Sequence, residues 1–264
     1  MPRLGLALKS VYSEPGAARR VAGFTNNYSL SFDGTDDNVN IGSAAAWGDA
    51  TVDFTIAVWE KSTDSSGYYV SNHDSDDKPR AQFGYYGSRL YVIYKDADGN
   101  TVVAGGNTAT GHLGNPNDGN WKHVAIVVKR GDTDTLQYYH NGVVSADAVD
   151  ISGQAGVAGT LAGSAMDTYI GARGNTGTDS EFAGLINDVA MWNTALTTAD
   201  LLKLYNSGVP TDLTSADSYD TDRTSNLKGY WKFEEGSGST VADSSDEGND
   251  GTINNATFSA DVPS

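Results

Sequence analysis

The stretch Ser29-Leu30-Ser31-Phe32-Asp33-Gly34-Thr35-Asp36-Asp37-Asn38-Val39-Asn40-Ile41 decides the fold. Leu30 and Phe32 alternate with serines, and Val39 and Ile41 alternate with asparagines. Residues 33–37 between them are turn-forming, so two half-buried strands meet across a corner. The period of two continues downstream. Val52, Phe54, Ile56 and Val58 share one face of a strand ending at Trp59. Residues 90–94 are expected to pair with 101–103 across the Asp/Gly/Asn-rich turn 96–100. Residues 121–128 are apolar on both faces beyond His123, which predicts a central strand. Residues 136–140 run into Asn141-Gly142 and then Val143-Val144, the strongest short-range hairpin signal. Residues 168–171 and 182–192 complete the run.

A single helix is predicted over 198–206. Thr197 and Asp200 form a capping-box-like pair, Leu196 and Leu201 hold staple positions, and Leu201, Leu204 and Tyr205 share a face. Gly208 is expected to end it, and Pro210 bars continuation. A polar stretch, 211–226, precedes a last β region opening with Leu227-Lys228-Gly229-Tyr230-Trp231-Lys232-Phe233. The 38 residues from 227 onward cannot bury a core alone, so they must pack on the sandwich or on a neighbouring chain.

Composition narrows the function. The chain has 264 residues, a net charge of −17 and no cysteine, which removes disulfides, thiolate metal sites and a cysteine nucleophile. Residues 1–22 carry Arg3, Lys9, Arg19 and Arg20 against Glu14, a balance of +3, leaving −20 on the rest. So acidic a body repels nucleic acid and anionic membranes. The opening apolar run, Leu4 to Leu8, is too short for a signal-peptide core or a membrane span. Residues 1–23 therefore read as a basic arm, with 24–264 as one sandwich.

The ordered set Phe32-Asp33-Gly34-x-Asp36-Asp37, Phe54-Thr55-Ile56-x-x-Trp59, Trp121-x-His123-Val124-Ala125, Tyr139-x-Asn141-Gly142, Ile170-Gly171 and Gly184-Leu185-Ile186-Asn187-Asp188-Val189-Ala190-Met191-Trp192 resembles the laminin-G-like jelly roll. That family belongs with the concanavalin A-like lectins and glucanases. The resemblance covers roughly residues 28–208. It implies an all-β jelly-roll β-sandwich of two antiparallel sheets. The segment 227–262 resembles the piece that stands first in ordinary members, so the chain order is expected to be circularly permuted, with 227–262 supplying that strand. The whole arrangement resembles laminin-G-like proteins of tailed-bacteriophage virions.

Paired carboxylates on one strand, which glycan cleavage in this superfamily requires, do not fit any of the six glutamates, and no histidine pair has metal-ligand spacing. Gly34, Gly142 and Gly184 read as turn or bulge glycines, and His123 as a strand residue satisfied by hydrogen bonding. The resemblance implies a calcium site near Asp33, Gly34, Asp36 and Asp37 with Asn187 or Asp188 from the last strand, although relatives carry an acid where Asn187 stands. Asp74, Asp76 and Asp77 form a second acidic cluster; the partner loop that pentraxins use for calcium falls at residues 173–175, which lack carboxylates. Tyr85, Tyr86, Tyr91 and Tyr94 could line a glycan-stacking face, against the alternative of ordinary sheet packing.

The leading expectation is a non-catalytic structural protein of a bacteriophage virion, in capsid decoration or a tail or fibre, with weak glycan binding or none. Its arm residues Leu4, Leu6, Leu8, Arg19 and Arg20 would contact other virion subunits, and a homo-oligomer is expected. The alternatives are an extracellular carbohydrate-binding module meeting cell-surface glycans and, behind it, a glycan hydrolase.

Overall fold

The alternating segments pair into two antiparallel sheets in a computed structural model of the chain, which describes residues 24–43, 52–72, 80–87, 89–95, 101–105, 116–130, 135–145, 149–150, 167–174 and 181–264. The strands begin with β1 (Ser29–Asp33), β2 (Asn38–Asn40), β3 (Phe54–Lys61), β4 (Ser66–Asn72), β5 (Arg80–Tyr86), β6 (Arg89–Lys95) and β7 (Thr101–Gly105). They continue with β8 (Lys122–Lys129), β9 (Thr135–His140), β10 (Val143–Val144), β11 (Val149–Asp150), β12 (Tyr169–Ile170) and β13 (Ala183–Trp192), before helix α1 (Thr198–Tyr205). The C-terminal segment adds β14 (Leu227–Trp231), β15 (Thr240–Val241), β16 (Gly251–Asn254) and β17 (Thr257–Ser259).

One sheet runs β10-β9-β8-β3-β13-β1-β17, with β11 on β9 and β14 on β13. The other runs β15-β16-β2-β12-β4-β5-β6-β7. Alternation sets the core between them: Leu30, Phe32, Ile56, Val58, Ile126 and Ile186 from the first sheet meet Val39, Tyr69, Phe83, Val92, Ile170 and Ile253 from the second. Residues 122–129 lie between β3 and β9, so this strand is central. Asn141 (φ 52°) and Gly142 (φ 73°) supply the two left-handed residues of the hairpin turn between β9 and β10.

The first sheet's outer face is covered too. Ala57, Ala125, Val127, Ala190 and Trp192 form a second apolar cluster with Leu196, Leu201, Leu204, Leu213, Tyr219 and Tyr230. That cluster docks α1 and the loop after it. Thr197 Oγ1 accepts from the Asp200 N–H (3.1 Å) and the Asp200 carboxylate accepts from the Thr197 N–H (3.0 Å), closing the capping box. The helix stops earlier than the glycine signal indicates. Asn206 takes the left-handed cap (φ 42°), two residues before Gly208, because asparagine also tolerates that conformation.

The tail belongs to both sheets. β14 pairs with β13, β17 with β1, and β16 with β2. Tyr230, Trp231 and Phe233 are wholly buried. β1 and β14 lie end to end along the same side of β13, β1 opposite residues 183–186 and β14 opposite 189–192. At their junction the Glu234 carboxylate accepts from the N–H groups of Asn27 (2.8 Å) and Tyr28 (3.0 Å). The chain end then folds back: Ser29 Oγ donates to the Asp261 carbonyl (2.7 Å) and Asn26 Nδ2 to that of Pro263 (2.7 Å). The Asp261 carboxylate accepts from Lys61 Nζ (2.5 Å) and Trp121 Nε1 (2.8 Å).

Candidate functional site

Two regions of the surface have the chemistry of a binding site, and they are separate. The first is the turn from β1 to β2. Gly34 (φ 79°) sits so close to Ala183 that a Cβ there would come within 2.9 Å of the alanine methyl, which requires glycine. Asp33 Oδ1 accepts from the Thr35 N–H (2.8 Å), and Asp37 Oδ2 accepts from the Asp33 N–H (2.8 Å). Carboxylate oxygens of Asp33, Asp36 and Asp37 lie within 4.8 Å of one another, a donor set suited to a hard cation. Burial raises the Asp37 pKa; its bond from Asp33 N–H opposes this, and the charges of Asp33 and Asp36 add to it.

Asn187 and Asp188 do not join that turn. The register puts Asp33 opposite Ala183, four residues from Asn187 along β13, or about 13 Å at the rise of a strand. Asn187 instead donates through Nδ2 to Asn26 Oδ1 (3.0 Å) and the Tyr28 carbonyl (2.6 Å), holding the entry to β1. Asp188, at φ 45°, is the bulge that interrupts the pairing of β13 with β3. Its side chain lines a cavity of about 10 Å³, room for one water, with Trp59, His123 and Leu204. Burial pushes the Asp188 pKa well up, with the nearby Tyr230 hydroxyl opposing.

His123 differs from its sequence expectation. Its Nδ1 is buried with no hydrogen-bond partner among the described residues, and burial, aided by His140, pushes its pKa down to about 3. The imidazole is therefore neutral and packs against Trp59 (ring centroids 5.1 Å apart).

One acid escaped the sequence reading. Glu181 is 7% exposed, and among the described residues neither carboxylate oxygen meets a donor at hydrogen-bonding geometry. Burial raises its pKa to about 7; the Arg173 N–H and guanidinium oppose this, and Asp36 adds to it, which places Glu181 on the side of the acidic turn. A lone glutamate between Ser180 and Phe182 has no period or spacing to mark it.

The second region is the outer face of the β5–β6 hairpin. The four tyrosines divide. Tyr85 points into the core, 2% exposed, with its hydroxyl 3.2 Å from Ser62 Oγ, so it is not part of an open face. Its neighbour Tyr86 faces the other way, 53% exposed. Tyr86 and Tyr91 stand diagonally across the ladder with centroids 6.2 Å apart and planes tilted by 43°. Tyr94 has its backbone in β6; its side chain lies outside the described residues, as do Asp74, Asp76 and Asp77 and the arm residues Leu4, Leu6, Leu8, Arg19 and Arg20. A third feature, a cavity of about 240 Å³, opens between residues 24–27, 206–211 and 262–264. The amides of Asn26 and Asn206 on its wall are already bonded to the Pro263 and Val209 carbonyls. Among the described residues no helix is long and apolar enough to cross a membrane.

A family model described as the concanavalin A-like lectin/glucanases superfamily matches residues 33–201. No curated protein matches the chain significantly. Among solved structures, a Bacteroides ovatus ATCC 8483 protein named for carbohydrate binding aligns at a TM-score of 0.53 and 16% identity, over 91% of this chain and 62% of that one. Mouse laminin α1 domains LG4-5 align at 0.46 and 16%, over 74% of this chain and 48% of that one. The botulinum neurotoxin serotype G binding domain aligns at 0.44 and 15%, over 60% and 37%. The chain thus spans about two fifths to three fifths of the length of these structures.

Proposed function

Because the chain belongs to the concanavalin A-like lectin/glucanase superfamily, we propose that it is a non-catalytic carbohydrate-binding module whose contact face is the outer side of the β5–β6 hairpin. The observation that carries this is the Tyr86–Tyr91 pair. An exposed ring offers a flat apolar surface to the C–H face of a sugar while its hydroxyl stays in water. Two rings tilted by 43° make a shallow V that cups one residue of a glycan. The Bacteroides protein named for carbohydrate binding supports the reading only through its shared fold. Hydrolysis is disfavoured on chemistry: Glu60 and Glu181 are both buried, and two carboxyl groups would have to flank a bond in an open groove.

The test is a glycan panel against the wild-type chain and Tyr86→Ala and Tyr91→Ala. Each variant should lose about 1.5 kcal/mol or more of binding, roughly tenfold in Kd. Full affinity in both variants would place the contact elsewhere. A calcium ion at the Asp33–Asp37 turn, with Asn187 and Asp188 left out of its ligand set, is a structural addition to this reading. A virion role rests on chain order and on arm contacts that lie outside the described residues. The glycan reading is preferred because described side chains support it, and one virion subunit could do both.

A further inference from the structure

The β5–β6 hairpin is basic on an acidic chain. Residues 80–95 contain Arg80, Arg89 and Lys95 and no acid, while the other 14 basic residues share the chain with all 34 acids. Register organises this. Tyr86 pairs with Arg89, Gly84 with Tyr91, and Arg80 with Lys95. Directly paired residues share a face, so Arg89 is on the exposed Tyr86 side, with Tyr91 two positions further along. Arg89 is partly exposed, and the ion pairs among the described residues all lie elsewhere. A guanidinium beside two rings on a strongly acidic protein, outside every ion pair among the described residues, stands where the glycan would lie.

We infer that this face takes a sugar bearing a carboxylate, at a chain end, in preference to a neutral sugar and to a polyanionic glycan; the inference rests on the glycan-binding reading above. Tyr86 and Tyr91 stack the ring, and the Arg89 fork donates two parallel N–H···O bonds to the carboxylate. The exclusion of polyanions follows from range. At 0.1 M salt the screening length is about 10 Å. A single carboxylate against Arg89 interacts mainly with that arginine, whereas a long sulfated or uronate chain extends over a body whose net charge is −17.

The probes are a trisaccharide ending in glucuronic acid, the same trisaccharide ending in glucose, and heparin, titrated calorimetrically in 20 and 150 mM salt. The acid-ended sugar should bind about tenfold tighter than the neutral one, ~1.4 kcal/mol. Arg89→Gln should abolish that difference, while Tyr86→Ala weakens both. Heparin should bind more weakly than the acid-ended trisaccharide at 20 mM salt. Equal binding of the two trisaccharides, still sensitive to Tyr86→Ala, overturns the acid preference and leaves glycan binding standing. Tight heparin binding at 20 mM salt overturns the exclusion of polyanions. No binding of any probe, or binding unaffected by Tyr86→Ala, overturns both readings together. Thermal melts of each variant separate misfolding from lost contact.

Discussion

Replacing Glu60 by glutamine should make the protein more stable relative to wild type as pH rises. Glu60 ends the alternating core face of β3 after Phe54, Ile56 and Val58, yet it is a carboxyl group with no exposed surface. Neither oxygen has a hydrogen-bond partner among the described residues. Its cross-strand neighbour is Lys122, whose Nζ instead meets Asp118 at 2.9 Å. Burial therefore pushes the Glu60 pKa well above the usual 4.5; Lys122 pulls it back and Asp118 adds to the rise. The hydroxyls of Tyr69 and Tyr85, packed near it, have their own pKa values raised, by burial first and by Glu60 in part. For an acid whose folded pKa is raised, the folded state binds more protons than the unfolded one above the unfolded pKa. The stability this group contributes is complete below about pH 4.5 and is lost as pH climbs through the folded value. The loss is about 1.4 kcal/mol for each pH unit over which Glu60 stays protonated only when folded. Glu181 and Asp188 have raised pKa values as well, but they are present in both proteins and drop out of the difference. The assay is urea unfolding of wild type and Glu60→Gln at half-unit steps from pH 4 to 8. The curves should coincide to within about 1 kcal/mol at pH 4, where amide and protonated acid are near-isosteres, and diverge above it in favour of the variant. A difference that stays constant across this range refutes the buried-carboxyl argument.

Three further outcomes are expected. Trp231→Ala removes a fully buried indole of β14 that donates to the Asn249 carbonyl (2.9 Å), and should cost about 3–5 kcal/mol in chemical denaturation; a loss below 1 kcal/mol would mean the tail is not part of the folding unit. Asp200→Ala opens the capping box and strands the N–H groups of Asp220 and Thr221, for about 2–3 kcal/mol. Burial opposes ionisation of Asp200, but its bonds from Thr197, Thr221 and Asp220 win and hold its pKa low, so this stability is present above the unfolded pKa and fades as pH falls through the folded one. If calcium binds the Asp33–Asp37 turn, a chelator should lower the melting temperature of wild type and leave Asp36→Asn unmoved; at calcium a hundredfold above Kd the shift corresponds to about 2.7 kcal/mol. Coincident melts with and without chelator would remove the ion.

Much of the fold can be read from local rules. Alternation marks β1, β3 and β9, doubly apolar character marks β8, Asn141-Gly142 fixes a hairpin, and Thr197 with Asp200 marks the helix start. The strand β4 is the instructive failure. Gly67-Tyr68-Tyr69-Val70 has no clean period because a register shift between Tyr68 and Val70 turns both Tyr69 and Val70 into the core. β5 is hidden in a similar way: Gly84 interrupts it, and adjacent Tyr85 and Tyr86 read as one aromatic patch although they lie on opposite faces. The tail's role also exceeds local reading. That residues 227–233 form a strand is visible; that the strand continues the line of β1 along β13 depends on long-range pairing. The return of residues 259–263 to the side of residues 26–29 depends on long-range contacts in the same way.

The candidate site was legible where its parts are adjacent in sequence and illegible where a bulge decides the geometry. The Asp33–Asp37 turn is local, and its carboxylates do come together. The family resemblance adds Asn187 and Asp188 to it from the last long strand; the register that separates them from the turn is invisible in one sequence. The bulge at Asp188 then puts two successive residues outside the core, so Asn187 meets the incoming chain while Asp188 meets His123 and Trp59 in a small cavity. This explains why an amide suits position 187. Its two contacts, Asn26 Oδ1 and the Tyr28 carbonyl, are both acceptors, and a side-chain NH2 satisfies them with its two protons. A carboxylate there would set oxygen against oxygen in a wholly buried position. The asparagine that weakens a calcium reading in the sequence is, in the fold, the residue that ties the start of β1 to β13.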